Sequence, residues 1–69
     1  LMLGDTVGAI IRYQTILSLD STIADVWQNL GVVYASTGKK NEARNSWEKA
    51  IKYEPNNNTV IQYLKTINE

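Results

Sequence analysis

The chain has no cysteine and no histidine among its 69 residues. Those two absences remove disulfides, thiolate nucleophiles, imidazole bases and ordinary zinc sites together, so neither a metal nor another cofactor is expected. They do not assign a compartment, because a helical domain without disulfides survives in the cytosol or the periplasm alike. Charge of one sign is also missing: seven Lys and Arg balance seven Asp and Glu. That balance argues against a nucleic-acid or anionic-membrane surface built on bulk charge. The longest apolar run is far too short to cross a bilayer. The opening Leu1-Met2-Leu3-Gly4 lacks the charged and apolar segments of a signal peptide. Position 1 is not an initiator Met, which fits a fragment or a processed product. Catalytic groups are thin as well. Asp5, Asp20, Asp25, Glu42, Glu48, Glu54 and Glu69 are scattered, with no pair spaced as an acid–base couple and no Gly-rich phosphate loop after a strand. An enzyme is not expected.

The length allows one small domain, residues 1–69, that buries about 60% of its unfolded surface and has a stability of ~3–10 kcal/mol. Proline occurs once, at Pro55, and aromatics are few and unevenly placed. Trp27, Leu30, Gly31 and Tyr34 are followed by Ala43, Trp47 and Ala50, and the series closes on Pro55. This series resembles the tetratricopeptide pattern, Trp-x2-Leu-Gly-x2-Tyr, a later Ala-x3-aromatic and a closing Pro, with a period of about 34 residues. The resemblance covers one whole repeat, residues 24–57. It implies an all-α fold of four helices, in antiparallel hairpins that form a short right-handed superhelical segment, and a non-catalytic role in binding proteins.

Moving the sequence by 34 positions extends the match in both directions. Gly4 falls on Gly38, Ala9 on Ala43, Tyr13 on Trp47 and Leu17 on Ile51, while Val26 falls on Val60, Trp27 on Ile61 and Leu30 on Leu64. Residues 1–23 therefore read as the second helix of a preceding repeat, with Leu1–Leu3 as the end of a missing helix. Residues 58–69 read as the first helix of a following repeat or as a cap. The cap is favoured, because Lys65 and Asn68 put polarity where Gly31 and Tyr34 stand in the full repeat.

Apolar spacing and capping residues predict the helices. The first runs from Asp5 or Thr6 to Leu19, with those two residues at its positive end. Ser21-Thr22 stops it and caps a second helix over Ala24–Thr37, with Asp25 completing a capping box. Gly31 costs about 1 kcal/mol inside that helix, which close approach to Ala43 on the next helix would offset. Gly38 ends it in left-handed geometry. A third helix spans Asn41–Glu54, supported by Arg44–Glu48 and Glu48–Lys52 four residues apart. Pro55 forbids its continuation, and Asn56, Asn57 and Asn58 turn the chain into a last helix towards Asn68.

In the resemblance, Asp25, Gln28, Asn29, Val32, Ala35 and Ser36 line the groove, together with Thr59, Gln62, Tyr63, Thr66 and Glu69. That face is polar, nearly uncharged and carries one large aromatic, Tyr63, so it suits an extended or helical segment of another protein. Asn29 matches the Asn of the carboxylate-clamp subset, but Thr59 and Tyr63 occupy its basic positions and offer no positive charge. Trp27 and Trp47 occupy packing positions rather than ligand positions. Lys39, Lys40, Arg44, Lys49 and Lys52, interleaved with Glu42, Glu48 and Glu54, read as a solvated outer face. Asn57-Asn58-Thr59 fits a glycosylation triplet. A second possibility is self-association, since a first helix with no partner on one side can pair with a second copy. A third is a regulatory appendage of a larger protein.

Overall fold

The computed structural model describes the backbone of residues 3–68 and the side chains of residues 6–68. Four helices follow one another: α1 (Leu3–Leu19), α2 (Ala24–Ser36), α3 (Lys40–Tyr53) and α4 (Asn58–Ile67). Among the described residues there is no strand. Each helix packs on the next in the chain, and the tightest pairing by far is α2 with α3. The outcome is a helical-hairpin stack of 31 × 29 × 17 Å, a plate with little interior. The buried apolar side chains are accordingly few: Leu17, Ala24, Leu30, Ala43, Trp47, Ala50 and Val60.

Gly31 explains why α2 and α3 approach so closely. A methyl placed on its backbone would lie 2.5 Å from Trp47 Cδ1 and 2.8 Å from Trp47 Cε2. The group that fills the space opposite Gly31 is the indole of Trp47, and Ala43 is fully buried in the same seam. Only a residue without a side chain leaves room for that ring. Trp47 is 5% exposed, and its indole N–H donates to the Gln28 carbonyl at 3.1 Å, so the one polar atom of the ring is satisfied inside the seam. Ala43 and Ala50 beside it are fully buried. Gly38 has φ +80° and ends α2 as expected, with room around it for a side chain but not the conformation for one.

Several ends differ from the sequence reading. α1 starts at Leu3, so Thr6 lies inside it rather than capping it, and Leu3 belongs to this helix rather than to a missing one. The expected roles of Leu1, Met2 and the Asp5 side chain lie outside the described residues. The capping box before α2 does not form: its N-cap is Ile23, without a side-chain cap bond. Asp20 organises that turn instead. Its Oδ1 accepts the Thr22 hydroxyl at 2.6 Å and the Thr22 backbone N–H at 3.0 Å, and these bonds hold its carboxyl below the usual range. α3 begins one residue early, at Lys40, and ends one residue early, at Tyr53, the latter because Glu54, at φ −142° before Pro55, has already left helical geometry. Arg44 does not reach Glu48; its guanidinium donates to Asn68 Oδ1 at 2.9 Å and to Asn41 Oδ1 at 3.4 Å.

Asn57 ties three helices together. Its Oδ1 accepts the Val60 N–H at 3.1 Å, capping α4, while Nδ2 donates at 2.8 Å to both Gln28 Oε1 on α2 and Glu54 Oε1 after α3. An amide so engaged is a poor glycosylation acceptor. Replacing Asn57 with Ala removes the cap and both bridges, an expected loss of about 1–2 kcal/mol, or roughly 5–15 °C in Tm. Thermal melts followed by circular dichroism measure this, and Asn57→Asp should restore most of the cap while losing the bridge to Gln28.

Candidate functional site

Helices two apart in the chain do not pack tightly; each such pair leaves a cleft floored by the helix between. The cleft between α2 and α4 has α3 as its floor. Trp47 lies at its base with Tyr63 beside it, ring centroids 4.9 Å apart and tilted by 36°. Val32, Ala35 and Ser36 of α2 form one wall, and Tyr63, Thr66 and Ile67 of α4 form the other. The two adjoining hollows there measure about 370 and 490 Å³, and among the described residues Lys40, at the start of α3, is the one charged residue lining them. Val32 is 42% exposed, an apolar side chain left in water on the lip. The surface is thus aromatic at depth, aliphatic at the edges and lightly hydroxylated, the chemistry that holds an apolar side chain of a peptide.

The groove residues named from the sequence are distributed unevenly. Val32, Ala35, Ser36, Tyr63 and Thr66 come together in this cleft. Asp25, Asn29, Thr59 and Gln62 are exposed but do not line it. Gln28 is half-buried, and its side-chain oxygen is taken by Asn57, so it supports the wall rather than offering a free amide. Glu69 lies outside the described residues. Trp47, Lys40 and Ile67 were not counted as groove residues. Trp47 carries a packing signature that concealed its second position, as floor of the cleft.

A second cleft opens on the other side, between α1 and α3 over α2, with a volume of about 450 Å³. Leu17, Trp27, Leu30 and Tyr34 form its apolar base, and Gln14, Glu42, Asn45 and Lys49 stand around it. Trp27 is half-buried there; its indole N–H donates to the Ser21 carbonyl at 2.8 Å, and Lys49 Nζ sits 5.9 Å from its ring centroid. Lys49 is exposed, as expected of the outer face, and its ammonium lies at the outer limit of cation–π range from the ring. Gln14 reaches the Tyr34 hydroxyl at 3.3 Å across the same cleft. No residue pattern announces this feature, because it arises from the spacing of α1 and α3.

Among the described residues no helix is long and apolar enough to cross a membrane, and no cluster of acidic residues could hold a metal ion. A family model described as tetratricopeptide repeat matches residues 24–57. The Gly31–Trp47 seam, the turn after Gly38 and the stop at Pro55 all fall inside that span. The chain carries a tetratricopeptide repeat. It is also similar to a Caenorhabditis elegans protein named "BBSome complex member bbs-4", with 34% identity over 65 residues, 94% of this chain and 14% of that protein. The chain thus spans about one seventh of the relative's length. Tetratricopeptide repeats generally mediate protein–protein interaction and are typically non-catalytic, and the relative's name places it in a protein complex.

Proposed function

We propose that this chain is a non-catalytic interaction module that holds a segment of another protein in the cleft between α2 and α4. The observation that carries this reading is the pair of tilted, closely packed rings, Trp47 and Tyr63, in a cleft whose lip leaves Val32 exposed. The partner is expected to present an apolar side chain to the rings and backbone groups to Ser36 and Thr66. Lys40 suits an acidic residue at that segment's end near the start of α3. A carboxylate clamp is not proposed, because Thr59 and Tyr63 supply no cation. In this reading residues 1–23 act as the second helix of a preceding repeat, and residues 58–69 as a capping helix, with Lys65 exposed and Asn68 bonded to Arg44. As in the relative, whose name makes it a member of a complex, the module would work within an assembly.

Peptides selected from a random display library on the immobilised chain provide the test. Tyr63→Ala should weaken selected binders about 10- to 100-fold, as loss of a central aromatic anchor does. Val32→Glu should do the same without altering the helical spectrum, while Asn29→Ala, away from the cleft lining, should change little. Binders unaffected by both cleft substitutions would refute the site.

A further inference from the structure

The cleft between α1 and α3 is lined in a regular pattern. Glu42, Asn45, Ser46 and Lys49 of α3 are spaced i, i+3, i+4 and i+7, a strip two turns long on one helix face. Gln14, Leu17 and Ser18 repeat the start of that spacing on α1, the opposite bank. Leu17 and Leu30, 8% and 3% exposed, lie at the bottom. Two helical banks over an apolar helical floor make a trough about 10 Å long, the shape that accepts two turns of a further helix.

The polar groups of the two banks differ in what they have left to offer. On α1, Ser18 donates to the Thr15 carbonyl at 2.6 Å, and Gln14 Nε2 donates to the Tyr34 hydroxyl at 3.3 Å. On α3, Ser46 is 3% exposed, and its hydroxyl has no hydrogen-bond partner among the described residues. No buried side-chain oxygen or nitrogen among them is sealed from solvent without a partner, so Ser46 Oγ keeps an opening, and the opening is the cleft that Ser46 lines. A hydroxyl set that deep beside an apolar floor favours an occupant that brings a hydrogen-bonding group of its own.

Charge then fixes the occupant's direction. Among the described residues two charged ones line the trough, at opposite ends. Glu42 stands in the first turn of α3, and Lys49 two turns further on, beside Trp27. Arg12 and Asp20 are exposed nearby but do not line it, and Asp20 Oδ1 is taken by Thr22. An occupant with an acidic group near Lys49 and a basic group near Glu42 complements both ends. A helix antiparallel to α3 brings its N-terminus to Lys49 and its C-terminus to Glu42. Acidic first and basic last is also the order its own dipole favours, whereas a helix parallel to α3 would need the opposite order.

We infer that the α1–α3 cleft docks a short helix of another protein, antiparallel to α3, with an acidic residue, an amide at i+3, an apolar residue at i+4 and a basic residue at i+7. The end charges meet Lys49 and Glu42, the amide meets the Ser46 hydroxyl, and the apolar side chain rests on Leu17 and Leu30. This inference is independent of the α2–α4 cleft and uses none of its residues.

The probe is a labelled, alanine-based helical peptide with Glu, Gln, Leu and Lys at those four places; a second peptide of the same composition exchanges its Glu and Lys. In anisotropy titrations at low salt, the native chain should bind the first with Kd on the order of 100 µM and about tenfold more tightly than the second. The ratio should shrink at about 0.5 M salt. Glu42→Lys/Lys49→Glu should reverse the preference, whereas Glu48→Lys/Lys65→Glu, exposed and outside the lining, should keep it. Ser46→Ala should weaken the first peptide about 3- to 10-fold. Amide resonances that shift on binding should centre on Gln14, Asn45 and Ser46. Equal binding of the two peptides by the native chain overturns the inference, as does a swapped chain that keeps the native preference. Shifts centred on Val32 and Tyr63 reject it too, because they put the peptide in the other cleft, and so does absence of binding up to about 1 mM. If the swapped chain does not fold, Glu42→Gln and Lys49→Gln singly should each lower the ratio about threefold, and unchanged ratios reject the site.

Discussion

Replacing Gly31 with leucine is expected to abolish cooperative folding. The first carbon of any side chain at this position already falls within 2.5 Å of the Trp47 ring, a distance real side chains do not adopt, and leucine adds three more carbons in the same direction. Neither neighbour can give way. Gly31 is held in the middle of α2, and Trp47 is wedged between α2 and α4 with its N–H bonded to the Gln28 carbonyl. Overpacking costs ~1–3 kcal/mol where a core can adjust, and more where it cannot. With a total stability of only ~3–10 kcal/mol for a chain of this size, the substitution consumes most or all of it. Far-ultraviolet circular dichroism should show lost helicity at 25 °C, with no sigmoidal thermal transition. A leucine variant melting as sharply and as late as the native chain would show that α2 and α3 do not meet as described.

Trimming the other side of the same contact should be nearly as severe. Trp47→Ala removes the largest buried ring, the bond to Gln28 and the packing on Tyr63, and leaves a void against Gly31 that has no side chain to collapse into it. The expected loss is about 3–5 kcal/mol, which leaves the chain marginal or unfolded. Urea unfolding at low temperature, where a residual transition can still be fitted, gives the value. The two halves of the seam fail differently: leucine at Gly31 is a clash, whereas alanine at Trp47 is a cavity. Trp47→Phe should therefore recover a good part of the loss, while no larger residue at Gly31 recovers anything.

The helix order and the packing ring of the repeat were legible in the chain because they depend on spacing alone. Trp27, Leu30, Gly31 and Tyr34 fall at helical intervals, Pro55 cannot continue a helix, and Gly38 supplies the left-handed stop. The helix starts were harder to read. Ile23 and Lys39 serve as N-caps without any capping side chain, and the Ser21-Thr22 turn is held by Asp20, which precedes it. Side-chain pairing was least legible. Arg44 had a Glu one helical turn away, yet it bonds to Asn68, which lies 24 residues on and near it only after folding. Gln28 looked like a free groove amide because its partner, Asn57, is 29 residues distant.

The candidate site shows the same limit. Tyr63, Val32, Ala35, Ser36 and Thr66 could be placed on one surface through the resemblance to the tetratricopeptide pattern. Trp47 could not, because its pattern announces a packing residue and only the assembled hairpins reveal that its ring also floors the cleft. Structure and proposed binding thus share one residue: the ring that Gly31 admits is the ring on which the partner segment is proposed to rest. Loosening the seam should disturb the cleft even where no lining residue is changed.

The most direct measurement is the urea stability of Gly31→Ala. Helix propensity alone favours alanine over glycine inside a helix by about 1 kcal/mol, so a α2 free of close contact would be stabilised. A methyl in the space held by the indole must reverse that sign, and the predicted result is a destabilisation of about 1–3 kcal/mol, seen as a lower urea midpoint with unchanged slope. A midpoint higher than that of the native chain would contradict the close contact of α2 and α3.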